Sequence, residues 1–196
     1  MAKCTVCPQC SGPKGPNAKQ CISCAYPRPN IAQPPDLNIR HIALTQGKVA
    51  IVDVADYEQL NQWRWCASRQ GKSDKFYAVR RIYTDAVNSY SVMMHREILG
   101  LKGRREVDHA NNDGLDNRRC NIRAATHSQN GMNKLDGKNT SGFKGVSRHR
   151  DGKKWQARIC VNKKQIWIGL YDDPQLAHEA YKAKAVKLHG EFARCE

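Results

Sequence analysis

Short runs of β-branched and aromatic residues, separated by polar stretches, set the pattern along this chain. Residues 48–54 (KVAIVDV) and 76–83 (FYAVRRIY) predict strands, and 89–93 predicts another. Residues 56–62 predict a short helix leading into Trp63-Arg64-Trp65, and 94–99 a second one. Val107 and Ile122 lie in two short strands joined by a long polar loop that contains Gly114. Thr126-x-x-Gln129 has the form of a capping box, so a helix starts there. Asn130 and Asn133, three apart, share one face of it. Three more strand-like runs follow at 143–149, 155–161 and 165–171, with Gly152 and Asn162 at hairpin turns. A last helix covers 174–188, with Asp173 as N-cap and Pro174 as its first residue. Its Ala177, Ala180, Tyr181 and Leu188 recur at helical spacing, small enough for close approach to a sheet. The predicted class is α+β.

Composition divides this string of elements. Residues 1–26 are rich in Cys, Gly, Lys and Pro and too poor in large apolar residues to build a core. The proline-dense stretch at 27–38 is a stiff linker, and 135–141 is a polar, flexible one. The expected domains are therefore 1–26, 39–134 and 142–196. With 33 Lys+Arg against 18 Asp+Glu, the formal charge is +15. The usual partner of such a surplus is a polyanion, and nucleic acid is the commonest. No run approaches the ~20 apolar residues of a membrane span. MAKCTVCPQC lacks the apolar core of a secretory signal, so no membrane partner is expected and the expected location is the cytoplasm.

Five of the nine cysteines crowd into the first 24 residues, spaced Cys4-x2-Cys7-x2-Cys10-x10-Cys21-x2-Cys24. Two Cys-x2-Cys turns across a short loop can surround one tetrahedral zinc. Cys7, Cys10, Cys21 and Cys24 are the preferred ligands because Pro8 sits inside the first turn, with Cys4 spare or replacing Cys7. Four thiolates leave no open position, so this Zn2+ is structural, and the knuckle needs it to fold.

The chemistry concentrates between Glu106 and Asn133. Asp108 can hold a hard cation such as Mg2+ or Mn2+, and Asn130 can add a neutral oxygen ligand while leaving positions for phosphate and water. His109, beside the carboxylate, can take a proton from an attacking water near neutral pH. These are the parts needed for phosphodiester hydrolysis. Each residue type is ordinary in loops, and only the joint spacing is informative.

That spacing, Asp108-His109 followed by Asn121 in the second strand and Asn130 in the helix, closely resembles the HNH homing endonucleases, mostly of phage. The resemblance covers about residues 40–134 and implies a ββα-metal nuclease core with a β-rich N-terminal extension. It implies that Asp108 and Asn130 ligate the metal, that His109 is the general base and that Asn121 orients its imidazole. Asn117 is a second-tier candidate, and Asn133 is either an additional ligand or a DNA contact. His95 matches a recurrent upstream position, as a packed or a phosphate-binding residue. The resemblance also implies a bacterial cell or a phage-infected host.

The last segment, 142–193, resembles the plant ethylene-response-factor domain (the APETALA-two fold): a three-stranded antiparallel sheet backed by a helix. Lys144, Arg148, Arg150, Trp155, Arg158, Lys163, Gln165 and Trp167 are the candidate DNA contacts, with Trp155 and Trp167 equally open to core packing. Ser147 and Cys160 stand where plant members often carry arginine, so their sequence preference does not transfer. The chain therefore reads as an HNH endonuclease that nicks or cuts double-stranded DNA, as a monomer or a homodimer, leaving 5′-phosphate and 3′-hydroxyl ends. Its rivals are a non-catalytic DNA-binding regulator and a structure-specific or RNA nuclease.

Overall fold

In a computed structural model of the protein, residues 29–71, 74–83, 88–134 and 139–193 are described. The cysteines at 4, 7, 10, 21 and 24, and the zinc site expected of them, lie outside the described residues. The chain divides into two compact units, one ending at Ala124 and the other starting at Ala125. Both mix strands and helices, so the α+β class holds. No helix among the described residues is long and apolar enough to cross a membrane.

The first unit opens with strands β1 (Ile39–Ala43) and β2 (Val49–Asp53), paired antiparallel. Helix α1 (Val54–Asn61) follows, and then the antiparallel sheet β3 (Cys66–Arg69), β4 (Phe76–Tyr83), β5 (Ser89–Met93). The short helix α2 (Met94–Ile98) leads to β6 (Glu106–His109), which pairs with β7 (Ile122–Ala125). Burial alternates along β2, where Ala50 and Val52 point inward. These join Ile42, Leu60, Trp65, Ala78, Met94 and Ile122 in one apolar core. The indole N–H of Trp65 donates to the Leu60 carbonyl at 2.9 Å, which satisfies the polar edge of the largest fully buried side chain. Strands β1 and β3 were not legible as elements in the sequence.

The second unit begins with α3 (His127–Asn133), whose N-terminus carries the expected capping box, with Thr126 and Gln129 bonding each other's backbone N–H. Strands β8 (Val146–Arg148), β9 (Trp155–Val161) and β10 (Lys164–Tyr171) form an antiparallel sheet with β9 in the centre. Strand β8 is shorter than the run expected at 143–149 because Gly145, at φ +72, turns the chain before it. A Cβ there would lie 2.2 Å from the Tyr181 ring and 2.9 Å from the Arg158 carbonyl. Helix α4 (Pro174–His189) starts on Asp173, which accepts from the Gln175 and Leu176 N–H groups. Its Ala177, Tyr181 and Ala185 are buried with Val146, Trp155, Ala157 and Ile159 of the sheet. The loop between β9 and β10 holds Asn162 and Lys163 at positive φ, the two-residue turn that matches strand twist.

Candidate active site

The hairpin of β6 and β7 carries Asp108 and His109 at the end of its first strand, and residues 110–121 form the connection. That connection is fixed by its own short polar side chains. Asn111 accepts from the Asp113 N–H at 2.9 Å, and Asp113 accepts from the Leu115 N–H at 2.9 Å. Asn112 sits at φ +61, tolerable for asparagine, and its side chain accepts from the Lys75 ammonium at 2.9 Å. Asn121 ties the ends together, accepting from the Asn111 N–H at 3.0 Å and donating to the Asp116 carbonyl at 2.8 Å.

The connection is also fastened to the core. Ile51 of β2 donates to Leu115 and accepts from Asn117, both through the backbone, so the segment adds a short parallel bridge to the first hairpin. Buried Asp116 receives the Arg118 guanidinium at 2.7 and 2.8 Å and the Asn111 amide at 2.9 Å. Burial pushes its pKa up, but the bonds from Arg118 outweigh that and hold the carboxyl below its ordinary range. Arg119 grips Asp56 with two bonds and donates its own N–H to Asp53. Gly114 lets the loop lie against β4, since a Cβ there would sit 2.4 Å from the Phe76 carbonyl and 2.7 Å from the Tyr77 ring.

His109 is 5% exposed. Burial lowers its pKa against the opposing pull of the Asn117 amide and of Asp108, Asp113 and Asp116, so the ring is held neutral at pH 7. The Asn121 side chain, expected to orient this imidazole, bonds the backbone of the loop. Fully buried Asn117 donates to the Leu115 carbonyl at 3.0 Å, beside the His109 ring. Two further rings touch the imidazole. His95 lies 5.1 Å away, centroid to centroid, and Tyr77 5.7 Å away, both edge to face. Burial, then His109 and Arg96, push the His95 pKa down to about 3. Burial and the nearby Asp108 raise that of Tyr77, which stays a phenol.

Asp108 is buried, and its Oδ2 takes two guanidinium bonds from Arg123, at 2.6 and 2.8 Å. No local pattern in the chain marks this pairing, although Arg123 and Asp108 occupy the two partner strands. Asn130 and Asn133 belong to the second unit, on α3, where Asn133 is buried and Asn130 half-buried. Among the described residues no three His, Cys, Asp or Glu side chains gather into a metal cluster. The hairpin offers a hard cation one carboxylate. One carboxylate, with an oxygen already accepting from Arg123, is too sparse for a permanently held zinc, and a Mg2+ ion, which completes its shell with water and phosphate oxygens, would need further donors there.

The candidate DNA-contacting residues separate into two groups. Arg158, Gln165 and Trp167 are exposed on the face of the sheet turned away from α4, with Arg158 directly opposite Trp167 in the register and its guanidinium 5.5 Å from the indole ring. Arg150 and Lys163 are exposed in the two hairpin turns. Arg148 is exposed at the edge, stacked 4.1 Å over Trp155. The other two candidates, Trp155 and Lys144, are buried. Trp155 is 9% exposed and belongs to the core beneath α4. Lys144 is equally buried, and its ammonium donates to the Met132 and Lys134 carbonyls at the end of α3. The run Phe143–Gly145 alone could not distinguish this cap from a phosphate contact. A cleft of about 560 Å³ opens between α3 and the sheet, lined by Ser128, Met132, Ser147, Arg158, Lys163 and Gln165 among others, with no Asp or Glu in its described lining.

No family model matches the chain. Over 89 residues it is 30% identical to Protein 3.8 of Escherichia phage T7, an overlap of 45% of this chain and 73% of that protein.

Proposed function

The chain belongs to the same family as that phage protein, and we propose that it is an HNH-type endonuclease that hydrolyses phosphodiester bonds of double-stranded DNA. One observation carries the reading: a buried imidazole, kept neutral, sits at the end of a strand beside a buried carboxylate, on a loop clamped to the core. A neutral ring accepts a proton, and a clamped loop holds it in position. His109 takes the proton of the attacking water as its oxygen bonds to phosphorus. The bond to the 3′-oxygen breaks, leaving 5′-phosphate and 3′-hydroxyl ends. Asn117 and Asn121 hold the loop that follows the ring through its backbone. Asp108 is the hairpin's ligand for Mg2+ or Mn2+, and the resemblance assigns Asn130 as the second. When bound, that ion neutralises charge on the phosphoryl oxygens. Arg123 then serves as partner of the ligating carboxylate.

Arg148, Arg150, Arg158, Lys163, Gln165 and Trp167 supply the duplex contacts, and the expected zinc knuckle adds to them. Cationic and amide side chains with one exposed indole suit phosphates and base edges. A supercoiled plasmid carrying the cognate site is therefore relaxed or linearised with Mg2+, and His109→Ala abolishes cutting without weakening binding. Cutting by the variant at the wild-type rate removes His109 as the base. Binding without any cutting by the wild type returns the chain to a regulator, and preference for RNA or junctions over duplex makes it a different nuclease.

A further inference from the structure

We propose that His95 is a positioning residue: together with Tyr77 it forms a two-ring clamp that fixes the plane of the His109 imidazole. The consequence for catalysis rests on the nuclease reading, whereas the ring geometry does not. The three rings close a triangle. Tyr77 and His95 are 5.7 Å apart at 80°, His95 and His109 5.1 Å at 78°, and Tyr77 and His109 5.7 Å at 64°. Each ring thus meets its neighbours edge to face, the arrangement that aromatic quadrupoles favour.

The second torsion of a histidine side chain is broad, so the plane of an imidazole is set by what packs against its faces and edges. Two rings meeting it at steep angles restrict rotation about that bond. The clamp is itself rigid, because the two residues that follow His95 anchor α2 in two directions. Glu97 takes two bonds from Arg80 on β4, the strand that also carries Tyr77. Arg96 donates to the carbonyls of Leu101, Gly103 and Arg105, the segment that leads into β6 and His109. Arg96 and Glu97 therefore tie α2 to β4 and to the segment entering β6, the strands that supply the other two rings.

The residue type also needs a cause. His95 is 5% exposed and its Nδ1 is buried without a hydrogen-bond partner, a cost that an aliphatic side chain of similar size would avoid. An aliphatic chain cannot present a flat edge to the imidazole. Met94 and Ile98 already supply the apolar packing of α2.

The test uses full-length protein and compares His95→Ala, Tyr77→Leu and Tyr77→Phe. In plasmid cleavage with Mg2+, the first two lower kcat about tenfold to hundredfold, the scale of a small misplacement of a reacting group. KM and duplex affinity stay at the wild-type values, because no DNA contact is touched. Tyr77→Phe keeps the ring and keeps kcat. Independently of activity, the ring-proton resonances of His109 shift in His95→Ala and Tyr77→Leu and stay in place in Tyr77→Phe. Wild-type kcat in folded His95→Ala overturns the clamp, as do unmoved His109 resonances. If the wild type cuts no DNA at all, the nuclease reading fails while the resonances still decide the clamp. Should His95→Ala not fold, Tyr77→Leu against Tyr77→Phe decides it by the same two measurements.

Discussion

Because His95 is buried neutral, acid should unfold the first unit by an amount that can be worked out. Free histidine titrates near 6.5, and His95 in the folded protein is pushed down to about 3. The unfolded chain therefore binds a proton that the folded one refuses. Stability rises with pH wherever that holds, so the contribution is intact above 6.5 and is lost as the pH falls toward 3. At about pH 5 the loss is roughly one and a half units at about 1.4 kcal/mol each, or about 2 kcal/mol relative to about pH 8. The groups acting on His95 are His109 and Arg96, and the phenol of Tyr77 packs on its ring uncharged throughout this range. His109, His178 and His189 are also lowered by burial and tilt the wild-type curve in the same direction, so the absolute slope is not diagnostic. A difference is. Urea unfolding of wild type and His95→Gln, followed by tryptophan fluorescence, should show the gap between them shift by about 2 kcal/mol in favour of the variant from about pH 8 to about pH 5. An unchanged gap would mean that His95 is protonated in the folded state or reached by water, and the reasoning would fail.

Other expectations are simpler. Gly145→Ala forces a methyl group into the Tyr181 ring at a left-handed backbone position, so the second unit should lose about 3 kcal/mol, read as a lower melting temperature. Lys163→Gly should stabilise the β9–β10 hairpin by about 1 kcal/mol, since glycine adopts that positive φ without strain. Arg158→Ala should weaken duplex binding across all sequences and reduce the log–log salt slope by about 1, whereas Lys144→Met should leave the slope unchanged and lower stability. Metal analysis should find about one zinc per chain, absent from a Cys7→Ser and Cys21→Ser double variant; retention of zinc there would exclude the proposed ligand set.

Strands and helices with strong periodic or capping signals were readable in the sequence. The Thr126–Gln129 box and the Asp173-Pro174 helix start are satisfied by local bonds, which is why local pattern sufficed. Strands β1 and β3 carry polar residues among their apolar ones, and their identity comes from pairing partners in β2 and β4. The site divides in the same way. Residue types at 108, 109, 117 and 121 were visible as candidates, but which backbone groups the asparagines bond depends on where loop 110–121 lies against β2. Arg123 and Tyr77 come from other strands and leave no mark near Asp108-His109 in the sequence. Lys144 shows the limit of charge as a guide, because a lysine in a basic segment can equally serve a helix end.

The parallel bridge between Ile51 and Asp116 has a consequence for how such a motif can be moved between proteins. Its shape is completed by a strand some sixty residues upstream and by the carboxylates of Asp53 and Asp56, so residues 106–133 cannot be lifted out as a self-sufficient cassette. A graft or natural fusion would have to bring residues 39–61 along. Recombination breakpoints are accordingly tolerable before the first hairpin and costly anywhere between it and the loop it braces.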